Sequence, residues 1–134
     1  MKKLLTILLC LPLLFTACKK EDDNNSPQST QSPFTGSWSG SFQGNDSYGN
    51  VDYGNWSGNI SSSGVLNGEG WSYAEGDLVG TGNVTNSGTL NASFTSGITS
   101  TGATFTGTLI VVTAWGEWEN LDYGFSGLWH GKKD

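Results

Sequence analysis

Arginine is absent from this chain, and its six basic residues are all lysines near the two termini: Lys2, Lys3, Lys19, Lys20, Lys132 and Lys133. Between Phe34 and Gly131, eight carboxylates stand against no Lys or Arg. Binding a nucleic acid requires cations that neutralise its phosphates, so nucleic acid is excluded as a partner. The acidic balance is instead expected to keep a Ser-, Thr- and Asn-rich surface soluble and monomeric. Cysteine occurs only at Cys10 and Cys18, so nothing beyond residue 18 can form a disulfide or act as a thiol nucleophile. One histidine, His130, completes the inventory of strong transition-metal ligands, and no metal or cofactor is expected. Proline stops at Pro33, which leaves every later backbone N–H free to join a β-ladder. No helical period runs through the chain after the N-terminal apolar stretch.

What is present is glycine, hydroxyls and rings in strict alternation. In Phe34-Thr-Gly-Ser-Trp-Ser-Gly-Ser-Phe42 one face reads Phe34, Gly36, Trp38, Gly40, Phe42 and the other Thr35, Ser37, Ser39, Ser41. Successive side chains of a strand point to opposite faces, so this is a half-buried strand. The pattern recurs from Gly54 to Ile60, from Leu66, Leu78 and Leu90 at twelve-residue steps, from Phe105, around Trp118, and from Phe125 to Gly131. Turn clusters such as Ser62-Ser-Gly64, Asn86-Ser-Gly88 and Tyr123-Gly124 separate the repeats. The class is all-β, an antiparallel meander of about eight strands. A closed up-and-down barrel is expected, with a two-sheet sandwich as the alternative: closure removes both exposed edges, and inward glycines let a sheet coil tightly around large rings.

The N-terminus supplies an address. Met1-Lys-Lys precedes a twelve-residue apolar run from Leu4 to Phe15, too short to cross a bilayer and suited to a signal peptide. Phe15-Thr-Ala-Cys18 resembles the lipobox of bacterial lipoproteins, with Phe where Leu is usual. The resemblance implies that residues 1–17 are removed, that Cys18 is acylated, and that the protein is held on the outer membrane by its lipids. Several acyl chains anchor firmly where one does not. Residues 18–33 then form an acidic, Ser/Pro-rich tether reaching at most about 50 Å. Its acidic start, Glu21-Asp-Asp, resembles the export signal of surface-displayed lipoproteins, which implies display at the cell surface, with the periplasmic face as the alternative. The folded domain is expected over residues 34–134. Gly36-Ser-Trp38 and Gly64-Val-Leu-Asn-Gly68 resemble short stretches of the eight-stranded calycin barrels, the avidin and lipocalin group. That likeness implies a fold only, since no biotin-site residue carries over.

Motifs for catalysis are missing. Gly36-Ser-Trp-Ser-Gly40 has the outline of a nucleophile elbow, but Trp38 holds the nucleophile's position and no helix follows. Gly80-x-Gly82 lacks the third glycine and the helix of a phosphate loop. Glu117 and Glu119, with Asp122 close by, have no Arg, Lys or His near them in sequence to tune a pKa, and read as a solvated acidic face. A non-enzymatic protein is expected. Aromatics carry the remaining signal. Trp38, Trp56, Trp118 and Trp129 share the apolar face, as core or as the lining of a lumen that holds an apolar small ligand. Tyr53, Trp71, Tyr73 and Trp115 have the opposite parity and are expected outside, where rings flanked by acids stack on a glycan. The alternative is a structural or host-contact protein-interaction module with no small ligand.

Overall fold

A computed structural model describes residues 31–97 and 102–134; the signal segment, Cys18 and the tether up to residue 30 lie outside the described residues. Eight strands follow one another: β1 (Gly36–Asn45), β2 (Val51–Ile60), β3 (Val65–Ser72), β4 (Gly76–Val84), β5 (Thr89–Thr95), β6 (Ala103–Ile110), β7 (Thr113–Asn120) and β8 (Phe125–Lys133). Each pairs antiparallel with the next, and β8 returns to β1 from Trp38↔Lys133 to Asn45↔Ser126. The meander is therefore a closed barrel, not a sandwich. No helix occurs among the described residues.

Parity does what the alternation predicts. Trp38, Phe42, Trp56, Phe94, Phe105, Trp118 and Trp129 are buried inside, together with Ile60, Leu66, Leu78, Leu90 and Leu109. The rings form a continuous column. Trp56 meets Trp129 edge-on at 5.7 Å, Trp129 leans on Phe105 at 6.4 Å, and Phe105 contacts Phe42, Phe94 and Trp118 at 5.5, 5.2 and 5.9 Å. Each such pair adds about 0.5–1.5 kcal/mol beyond the area it buries.

Glycine makes this packing possible, because rings of one strand lie where neighbouring strands have no Cβ. Gly107 pairs with Gly116 across β6 and β7, and Cβ atoms there would stand 2.6 Å from Trp129 Cζ2 and 2.7 Å from Trp129 Nε1. Gly40 pairs with Gly131 across the β1–β8 seam, where added Cβ atoms would meet Trp56 Nε1 at 2.8 Å and Trp56 Cζ2 at 2.5 Å. An eight-stranded barrel is just wide enough for side chains to fill it, and here large rings against bare backbone do so.

The two ends close differently. At the entry end, where the chain joins the barrel, Ser32 N–H donates to Ser62 O at 2.8 Å and Phe34 is buried across the opening. Trp38 Nε1 donates to Phe34 O at 2.8 Å, so the indole pins the plug. The chain thus packs on the barrel from Ser32, two residues ahead of the expected boundary. At the far end the last inward positions are polar: Asp52, Ser72 and Asn120 are each about 1% exposed. Ser72 Oγ donates to the Asp52 carboxylate (2.8 Å to Oδ1) and accepts from the N–H groups of Ala74 and Glu75, both at 3.1 Å. Glu75 turns back to accept from Asn120 Nδ2 and from Ser96 Oγ. Every one of these buried polar atoms has a partner, as burial requires.

Candidate functional site

Outward residues of β1 are Ser37, Ser39, Ser41, Gln43 and Asn45, short or flexible and polar throughout. Asn55 and Ser57 of β2 extend this low polar strip. Taller side chains rise on either side of it from β3 and β8, so β1 and β2 become the floor of a furrow. One depression of about 900 Å³, open to solvent, is lined by Ser39, Ser41, Asn55, Ser57, Glu69, Trp71, Asp77, His130 and Lys132 among others. A second, of about 870 Å³, continues toward the far end past Gln43, Val51, Tyr53 and Leu128, and the two share Ser41 and His130.

One wall of this furrow is aromatic, with Tyr53 and Trp71 in its lining and Tyr73 stacked on Tyr53 just outside it. β2 presents Tyr53 and β3 presents Trp71, one strand apart, while Tyr73 begins the β3–β4 turn and donates its N–H to Tyr53 O at 2.9 Å. Tyr53 and Tyr73 stack at 5.1 Å with planes 12° apart, and Trp71 meets Tyr53 edge-on at 6.3 Å. All three remain exposed. The turn that carries Tyr73 is the one held by the buried Asp52–Ser72 pair, so a satisfied interior network fixes an exterior ring. Tyr and Trp held this way offer a large contact area with little rotamer freedom left to lose.

The opposite wall comes from the other end of the sequence. Closure sets Ser41 opposite His130 and Ser39 opposite Lys132. Ser41 Oγ lies 3.2 Å from His130 Nε2, and Ser39 Oγ donates to Asp134 Oδ1 at 2.6 Å. Ser41 is the only hydrogen-bond partner of the His130 ring among the described residues; no carboxylate among them orients the ring as a nucleophile's base would need. Beneath the floor, the indole of Trp56 lies against Gly40 and Gly131 with its Nε1 buried and without a hydrogen-bond partner. The three other core indoles are satisfied, Trp38 by Phe34 O, Trp118 by Gln43 O and Trp129 by Thr106 O and Glu117 O.

The residues singled out from sequence separate into groups. Trp38, Trp56, Trp118 and Trp129 are all inside; the last three touch other rings and lie against glycines, while Trp38 is held by Phe34 O. Tyr53, Trp71 and Tyr73 come together on one wall. Trp115 is exposed as expected but stands beyond His130 on β7, outside the furrow's lining. It shares one register row with Trp71, running Trp115, His130, Ser41, Asn55, Trp71. Four strand spacings put the two tryptophans about 19 Å apart around the wall. Glu117 and Glu119 line another depression with Thr104 and Thr106, which meets the far-end part of the furrow at Gly127 and Leu128. No group of three or more His, Cys, Asp or Glu suited to a metal ion occurs among the described residues. Sequence reading missed Asp52, Ser72, Glu75 and Asn120, although the inward parity of β2, β3 and β7, continued to the strand ends, points at three of them.

At the far end Asp46 organises the β1–β2 loop. The Asn50 side-chain amide, with the N–H groups of Asn50 and Tyr48, donates to its carboxylate and holds its pKa below the ordinary aspartate value. No protein-family model matches this chain, and no curated protein matches its sequence.

Proposed function

We propose that this is a non-catalytic, lipid-anchored protein of the outer membrane, acylated on Cys18 and displayed at the cell surface, which binds an extended glycan along the outside of its barrel. The observation that carries the reading is the Tyr53–Trp71–Tyr73 wall beside a floor of Ser39, Ser41, Asn55 and Ser57. Sugars present both apolar C–H faces and rings of hydroxyls. Flat aromatic faces suit the first, while hydroxyls, amides and carboxylates that donate and accept suit the second. Glu69 and Asp77 at the rim add acceptors for sugar hydroxyls, and His130 supplies a polar ring on the far wall. The interior supports an outside site, since rings occupy the space an apolar ligand would need.

A glycan array probed with the purified protein tests the reading. Retention on at least one class of oligosaccharide is expected, and Trp71→Ala should weaken it tenfold or more, about 1.4 kcal/mol. Trp115→Ala, outside the furrow, should leave it nearly unchanged. Retention indifferent to Trp71→Ala and Tyr53→Ala, or none on any glycan, would reject the proposal.

A further inference from the structure

Three hairpin turns close the entry end, at residues 61–64, 85–88 and 111–112. The first two share one polar design. Ser61 Oγ accepts from Val65 N–H and pairs with Ser63, Thr85 Oγ1 accepts from Thr89 N–H and pairs with Ser87, and each turn ends in a glycine of positive φ, Gly64 or Gly88. Each also hands a carbonyl to the next strand, Gly64 O to Val84 N–H and Gly88 O to Leu109 N–H. The third turn keeps that last contact, Val112 O to Lys133 N–H at 2.9 Å, but discards the rest. Its residues are aliphatic, and Ile110, Val111 and Val112 are all exposed, Val111 by 73%. Val111 has φ +50°, a conformation that a β-branched residue rarely adopts, at a turn position glycine usually takes. Nothing inside the barrel uses these side chains.

Charge is sorted along the same axis. Lys132 and Lys133 end β8 beside this turn, with Asp134 the one acid at this end. The remaining acids of the described residues sit at mid-wall, as Glu69 and Glu117 do, or toward the far end, as do Asp46, Asp52, Glu75, Asp77, Glu119 and Asp122. The chain from the tether joins the barrel at this end too, through Ser32.

We infer that the entry end is a lipid-docking face: Ile110, Val111 and Val112 insert into the leaflet that holds the Cys18 acyl chains, and Lys132 and Lys133 meet its anionic phosphates. An apolar tip flanked by cations is what binds an interface shallowly, by buried apolar area together with attraction to anionic headgroups. The acidic far end then turns away from the membrane, the furrow stands upright, and the aromatic wall is presented to the medium. The inference rests on the acylation proposed above for bringing the barrel within reach of the leaflet.

The test uses the full acylated protein bound to vesicles of zwitterionic and anionic phospholipid, with a single polarity-sensitive fluorophore on Val112→Cys or, at the far end, Tyr48→Cys. Because the described residues contain no cysteine, each label is unique in the domain. Nitroxide-bearing lipids should quench the label at 112 severalfold more than that at 48, and aqueous iodide should do the reverse. Flotation of Cys18→Ser separates the two readings. If the acylated protein floats and label 112 stays open to iodide, docking is overturned and anchoring stands. If Cys18→Ser floats equally well with label 112 quenched by lipid, docking stands and anchoring fails. If neither protein floats, or label 112 is shielded without lipid quenching because another copy covers it, docking is overturned.

Discussion

At the scale of single residues, the interior is a set of exchanges between a ring and an absent Cβ. Gly116→Ala would drive a methyl into Trp129 Nε1 and the backbone of β6, neither of which can move without opening the wall. We expect destabilisation of about 3 kcal/mol or more, at the upper end of overpacking effects. Gly49→Ala meets nothing within 4 Å and carries only the strain of φ +86°, so about 1 kcal/mol is expected. Urea denaturation of the two variants checks the contrast, and equal losses would contradict the packing account. The indoles give a second comparison. Trp129→Phe abandons two accepting carbonyls, Thr106 O and Glu117 O, whereas Trp56→Phe surrenders no hydrogen bond. Similar volume is removed in each, so Trp129→Phe should be the more destabilising by about 1 kcal/mol. Parity was legible at this scale because whether a side chain faces in or out depends only on its neighbours in sequence. That is why Trp38 and Trp129 could be assigned to the inside, and Tyr53 and Trp71 to the outside, before any strand was paired.

Elements add what parity cannot hold. The Tyr53–Tyr73 stack depends on the β2–β3 register, and the turn bearing Tyr73 depends on Asp52 reaching Ser72 twenty residues away. An isolated aspartate among outward acids gives no sign of this; only its place in the inward series, two residues before Gly54, does. The β6–β7 turn was likewise invisible as a departure until the two polar turns beside it were seen to share a design. Its strain is measurable. Val111→Gly relieves a positive φ that costs a β-branched residue about 1–3 kcal/mol, against a loss of about 0.5–1 kcal/mol from added chain entropy in the unfolded state. We expect net stabilisation of about 1 kcal/mol in thermal or chemical denaturation, and a loss of stability would show that Val111 packs in a way its exposure does not reveal.

For the whole molecule, closure determines where binding chemistry can sit. His130 and Lys132 lie some ninety residues from Ser41 and Ser39, and only the β1–β8 seam makes them walls of one furrow. No local pattern announces such a meeting, so the furrow was out of reach of sequence reading even though the barrel was not. Closure also fills the lumen, which moves the search for a ligand from the ring column to the wall outside it.

The most direct test of that central claim is a nitrogen-correlated NMR titration of the protein with the oligosaccharide it retains. The account predicts shifts at the backbone amides of Ser41, Asn55, Ser57 and Trp71, with the indole Nε1–H signals of Trp38, Trp118 and Trp129 unmoved. Large shifts confined to those three indoles, with the furrow amides silent, would place the ligand inside the barrel and contradict it.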